Sequence, residues 1–152
     1  MPDPIEFTAA TPRFALPLLF AGQAQKEFFV NEAHGLIDTL MHPAVEGASN
    51  IPPIAPAEGD AWLVAATAQD EWIGRENCLA VYIGTHWLFV PPQTGMQLFR
   101  KDLGQIAIFN GLWELASEPV EPSGGVTIDA EARAAISGLI GVLRTVGILS
   151  QS

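Results

Sequence analysis

Cysteine, basic residues and histidine are all scarce in this 152-residue chain, which has one Cys, seven Lys plus Arg and three His. A single cysteine, Cys78, excludes an intramolecular disulfide, and it leaves any zinc site to histidines and carboxylates. Seventeen acidic residues against seven basic ones give a formal net charge of −10, which repels a phosphate backbone, so nucleic-acid binding is not expected. His34, His42 and His86 show no metal-ligand spacing. The chain has no Gly-x-Ser-x-Gly elbow, phosphate loop, His-Glu-x-x-His helix or dinucleotide glycine signature. Asp70, Glu71 and Glu76 lack the alternating spacing of a calcium loop, and no pair of carboxylates is arranged for glycoside hydrolysis. The expectation is a non-enzyme with no catalytic residue, no metal and no cofactor.

Charge of either sign is also sparse. Charged residues make up 16% of the chain and hydrophobic ones 49%, too little polar material to coat a monomer. Some surface is therefore expected to be buried in a homo-oligomer or against other proteins. The apolar run from Phe14 to Ala24 is broken by Pro17 and follows Asp3 and Glu6. It reads as neither a secretory leader nor a span, so membrane insertion is not expected.

Periodicity divides the chain into six segments. Residues 1–22 open with three prolines and no repeat and read as an extended arm. Residues 23–42 are helical, with Phe29, Ala33, Leu36, Ile37 and Leu40 on one apolar face expected to pack, and His42-Pro43 as the stop. Residues 43–58 carry Pro52, Pro53 and Pro56 and read as a connector without elements. Residues 59–116 turn to short β-branched and aromatic runs. Within them lies a duplication, Leu79 to Phe89 and Ile106 to Leu115, each reading strand, turn, strand beginning at Trp, with a partial third copy at Gly59 to Val64. Asn110-Gly111 is the dipeptide of a type I′ hairpin turn. Residues 117–128 are a Pro, Glu, Ser and Gly linker. Residues 129–147 form an amphipathic helix capped by Asp129 and stopped by Gly147. Its apolar positions Ala132, Ile136, Leu139, Leu143 and Val146 are spaced four, three, four, three, a coiled-coil seam that can dock in cis or in trans. The fold class is α+β: an N-terminal arm and helix, a small antiparallel sheet of five or six strands from repeated Trp hairpins, and a C-terminal helix.

Aromatic residues supply the candidate contacts. Trp62, Trp87 and Trp113 occupy equivalent repeat positions and are expected in the core. Trp72 falls outside the repeat and, with Tyr82, is the candidate exposed contact for a glycan or a partner protein. In the arm and first helix, Phe7, Arg13, Phe14 and Lys26 are the candidate docking residues.

The segments Thr11-Pro12-Arg13-Phe14-Ala15-Leu16-Pro17, Ala21-Gly22-Gln23-Ala24-Gln25-Lys26-Glu27 and Asn31-Glu32-Ala33 resemble the opening of an uncharacterised domain family of alphaproteobacterial prophage and gene-transfer-agent virion proteins. The similarity continues through Pro53 to Trp62 and the Gly-x-x-Trp hairpins, about Thr11 to Leu115, although Phe28-Phe29-Val30 departs towards greater apolarity. The tail from Asp129 to Leu149 resembles a helical ending of phage fibre and tail proteins. The resemblance implies a virion structural protein, a head-spike base or a tail or fibre component, located in a virion or virus-like particle assembled in the bacterial cytoplasm. Its implied partners are capsid, fibre or tail proteins, and cell-surface polysaccharide for an adhesive module. It carries over no catalytic residue.

Overall fold

The computed structural model describes Thr11, Leu16, Leu18, Leu19, residues 27–126 and residues 128–151, with the side chains of residues 27–29 outside that description. The chain is α+β, and it divides into two compact units, Met1–Pro91 and Pro92–Ser152. The single sheet expected over 59–116 is thus divided between them, at a Pro91-Pro92 step that cannot donate to a strand ladder.

In the first unit, helix α1 spans Glu27–Met41 and ends ahead of Pro43. The segment read as a bare connector instead holds two short strands, β1 (Ala44–Val45) and β2 (Ala48–Ser49). β2 runs parallel to β3 (Ala61–Val64), and β3, β4 (Leu79–Ile83) and β5 (His86–Val90) follow antiparallel in the order β2-β3-β4-β5. The β4–β5 loop is Gly84-Thr85, with φ of 57° and 72°, the doubly left-handed geometry of a type I′ turn. Its Gly84 N–H donates to both carboxylate oxygens of Glu58, at 3.0 and 3.1 Å.

Register sorts the side chains of this sheet. Ala61, Leu63, Leu79, Val81, Ile83, Leu88 and Val90 fall on one face, and Trp62, Val64, Ala80, Tyr82, Trp87 and Phe89 on the other. α1 lies on the first face. It approaches through Gly35, where an added Cβ would stand 3.0 Å from Ile83 Cδ1, and among its described residues Gly35, Asp38 and Thr39 are buried. Thr39 satisfies its hydroxyl on the Gly35 carbonyl at 2.8 Å. Of the apolar stripe expected to pack, the Phe29 side chain lies outside the described residues, and the rest is corrected: Ala33, Ile37 and Leu40 are exposed and Leu36 is half-buried, while the helix approaches through glycine, which admits close contact. From within the helix, the Asn31 side chain accepts from the N–H of Leu19, in the segment before it, at 2.9 Å and donates to the Leu19 carbonyl at 3.2 Å.

The second face is roofed by the loop between β3 and β4, which contains a one-turn 3-10 helix, Asp70–Trp72. Backbone bonds hold that loop down, from Ala65 N to Ser49 O, Gln69 N to Asn50 O, and Asn77 N to Val64 O, at 2.8, 2.8 and 2.9 Å.

In the second unit, β6 (Gln97–Arg100), β7 (Gln105–Phe109) and β8 (Trp113–Leu115) pair antiparallel in sequence order. The Asn110-Gly111 turn is not the expected two-residue loop. Phe109 pairs with Trp113 across three residues, and Gly111 alone has positive φ, 89°, because Leu112 is accommodated in the loop. The β6–β7 turn is braced by Arg100, whose Nε and Nη2 donate to the two Asp102 carboxylate oxygens at 2.9 and 2.6 Å.

Helix α2 spans Ala130–Thr145 with Asp129 as N-cap, its carboxylate accepting from the Ala132 N–H at 2.9 Å. Gly147, at φ 74°, ends it with the paired bonds Ile148 N to Leu143 O and Gly147 N to Arg144 O, a Schellman motif. Beyond the cap, the Ile106 N–H donates to the Gly147 carbonyl at 2.6 Å, and buried Gln105 donates through Nε2 to the carbonyls of Ala116 and Ile148 at 2.6 and 2.8 Å.

Candidate interaction surfaces

α2 is held by its polar side. Arg144 Nη2 pairs with the Glu118 carboxylate, Arg133 Nη2 donates to the Gly124 carbonyl, and Ser137 Oγ donates to Glu121 at 3.3 Å. All three partners belong to the Pro- and Glu-rich linker that precedes the helix. The Glu118 carboxylate also holds the Arg144 guanidinium above its ordinary pKa.

With the polar side engaged, the apolar stripe turns to solvent. Ala132 is exposed, Ile136, Leu139 and Val146 are 40%, 64% and 54% exposed, and Leu143 is half-buried. Val142, on the flank of the stripe, is 60% exposed, while Ile140 on the linker side is 2% exposed. The five seam residues read from the sequence thus form one continuous outward row, and only Leu143 is partly covered.

Beside the end of α2, one face of the β6-β7-β8 sheet is open. A cleft of about 430 Å³ lies between Gln97, Ile106, Ile108, Glu114, Leu115 and Ile148. Its aliphatic walls hold one carboxylate and one amide, a lining that can bury apolar groups and orient a single donor.

The aromatic residues are arranged differently from the sequence expectation. Trp72, expected as an exposed contact, is fully buried, and this is a correction. It plugs the β3–β4 loop onto the sheet, packing with Val64 and Ala80 and meeting Trp87 edge to face. The repeat tryptophans Trp62, Trp87 and Trp113, expected in the core, are half-buried. Repeat position marks a place on the sheet face, and the indole that seals this face comes from the loop above it. Tyr82 is half-buried with its ring 5.2 Å from Trp87, and Arg75 lies over Phe89 at 5.0 Å. Trp62, Tyr82, Trp87 and Phe89 therefore form a partly open aromatic strip with one guanidinium at its edge. Phe89 joins this strip by strand register and Arg75 by the folding of the β3–β4 loop, neither of which periodicity reveals.

Other candidates separate. Cys78 is half-buried, and burial pushes its thiol pKa up, against the pull of the Arg75 charge, so it is a poor nucleophile at neutral pH. Among the described residues no three His, Cys, Asp or Glu side chains converge on a position able to hold a metal ion. Among them, too, no helix is long and apolar enough to cross a membrane. The candidate docking residues Phe7, Arg13, Phe14 and Lys26 lie outside the described residues.

The fold and these surfaces define a small α+β module whose open faces are apolar and aromatic. Residues 30–114 match the family described as protein of unknown function (DUF2793), and since the match takes in more than half of the chain, the protein belongs to that family. The matched segment runs from α1 to β8 and ends before the linker and α2. No curated protein matches the chain.

Proposed function

We propose that this protein is a non-enzymatic structural component of a phage-like particle, a gene transfer agent or prophage virion, serving as a spike base, fibre or tail adaptor. The observation that carries the assembly role is the orientation of its helices. α1 packs through Gly35, Asp38 and Thr39, and α2 is tied through Arg133, Ser137 and Arg144. Both leave large apolar side chains in water, Ile37, Leu40 and Met41 on one helix and Leu139, Val142 and Val146 on the other. Each such stripe gains about 25 cal/mol for every Å² it buries, and the fold itself does not use it. A partner does. The particle setting rests on the resemblance of Ala21 to Glu27 and Asn31 to Ala33 to virion proteins, and assembly in the bacterial cytoplasm follows from it.

The test is incorporation. Leu139→Glu and Val142→Glu alter only exposed positions, so melting behaviour should hold while recovery on purified particles falls. Normal copy number on particles would refute the assembly role.

The aromatic strip supports a second reading, adhesion to cell-surface polysaccharide. Trp62, Tyr82 and Trp87 are half-buried on one sheet face, Trp62 and Trp87 packing partly against the Trp72 cluster, and the part of these rings left open is the kind of surface that stacks on apolar sugar faces. Titration with capsular polysaccharide should shift tryptophan emission in the wild type and not in a Trp62→Ala, Tyr82→Ala variant. An unchanged spectrum in the folded wild type would refute it.

A further inference from the structure

We propose that the occupant of the α2 stripe is α2 of a second copy of this chain, packed antiparallel about a two-fold axis through Leu139. This deepens the assembly reading above and rests on it.

The stripe is self-complementary in only one direction. Leu139 stands midway between Ala132 and Val146, so reversing the helix about it sets Ala132 against Val146, Ala135 against Leu143 and Ile136 against Val142. At two of these three levels a small side chain meets a large one. A parallel pairing would set Ala132 against Ala132 and leave a gap there, and close packing penalises unfilled space.

The flanks agree. Spacing of four, three, four, three is the repeat that keeps an apolar row facing a neighbouring helix. On one side of that row the linker occupies the helix and Ile140 is buried, while on the other Val142 is 60% exposed and Ala135 is exposed. An antiparallel pair brings the two open flanks together on one side of the row and the two linker flanks together on the other. A parallel pair sets each open flank against a linker-covered one. Antiparallel packing also opposes the two helix dipoles favourably.

Charge points to a second copy over a different partner. The chain carries a net charge of −10, yet α2 has only Glu131, Arg133 and Arg144, and both arginines are engaged by their own linker. The stripe is a surface on which two acidic copies approach without opposing carboxylates, and it offers no ion for an oppositely charged partner to read.

Area sets the strength. The stripe is one face of a 16-residue helix, so a pair of stripes falls short of the ~1,200 Å² at which stable interfaces begin. The dimer is therefore expected to be concentration-dependent and reinforced where copies are anchored side by side.

Cross-linking of the full chain in a Cys78→Ser background decides it. Leu139→Cys should form a disulfide dimer with itself on oxidation, and so should a mixture of Ala132→Cys and Val146→Cys chains. Ala132→Cys alone should not, because its two copies would stand about 21 Å apart along the pair. Sedimentation should show a concentration-dependent dimer that Leu139→Glu converts to monomer. Efficient self-cross-linking of Ala132→Cys would overturn the antiparallel arrangement. A wild-type chain that stays monomeric at hundreds of micromolar would overturn the pairing. If that monomer joined particles and Leu139→Glu did not, pairing would fail while the assembly reading stood; if both joined equally, both would fail.

Discussion

The ring of Trp72 meets that of Trp87 edge to face, with centroids 5.1 Å apart and planes at 83°. Trp72 is sealed from solvent, whereas Trp87 keeps its other side half-open and reaches Tyr82. The loop residue is thus the anchor and the strand residue is the platform. Trp72→Ala should cost roughly 3–5 kcal/mol, the range for truncating a buried aromatic. Trp87→Ala should cost clearly less, since part of its ring never leaves water. Urea denaturation of the two variants checks this, and equal losses would show that the loop is not the keystone of that face.

Gly35 sets how closely α1 approaches its sheet. An added Cβ would lie 3.0 Å from Ile83 Cδ1 and 3.8 Å from Leu88 Cδ2. Gly35→Leu should destabilise the fold by about 1–3 kcal/mol through overpacking, despite the gain in helix propensity. Ile83→Ala, which opens that spot, should be less damaging in the Gly35→Leu background than in the wild type. Strict additivity in this double-mutant cycle would mean that the two positions do not share the contact.

Much of this architecture was legible in the sequence, and the part that was not has a common physical cause. Asp129 and Gly147 announced the ends of α2 because capping chemistry is local. The duplicated hairpins were legible from their alternation, and Gly84-Thr85 forms the tight turn the pattern required. What failed was direction. Periodicity locates an apolar stripe on a helix but takes its burial for granted, and here Gly35 and the linker's Glu118 decide which side faces in. Neither effect has a period. The same holds for Trp72, whose burial depends on a loop folding over a sheet face, and for β2, whose parallel partner lies beyond a proline-rich stretch. The seam of α2 was read as a row and left open as to cis or trans. The polar contacts of Arg133, Ser137 and Arg144 account for its exposure.

Acid should spare the β6–β7 turn longer than an ordinary carboxylate would allow. The hydrogen bonds from Arg100 hold the Asp102 carboxyl below its usual pKa, against a smaller opposing effect of desolvation. A carboxylate depressed in the folded state contributes stability above its unfolded value of about 3.9, and loses it as pH falls through the folded value. The pair should therefore persist at pH 4 and break only in more acidic solution. Because Asp102 is 36% exposed, its loss in Asp102→Asn should cost less than about 1 kcal/mol at neutral pH. Carboxyl-carbon NMR titration is the direct check, and a midpoint at or above the ordinary range would contradict the bidentate geometry.

Attachment through the first helix calls for a gentler experiment than removing it. A chain beginning after Pro43 would lose Gly35, Asp38 and Thr39 from the face they cover, exposing Ile83 and Leu88, so its failure to join particles would report unfolding. The informative positions are those pointing away from the sheet. Ile37 is 48% exposed and Met41 51%, and neither lies on the side of α1 that packs. Ile37→Glu and Met41→Glu should change stability by no more than about 0.5 kcal/mol, as surface substitutions do. Recovery on particles should nevertheless fall, because a docked partner would have to desolvate a carboxylate without a counter-ion. Melting curves and particle copy number measured on the same preparations separate the two effects. Unchanged copy number with either glutamate would leave the attachment to other surfaces and make the α1 stripe an ordinary wet face.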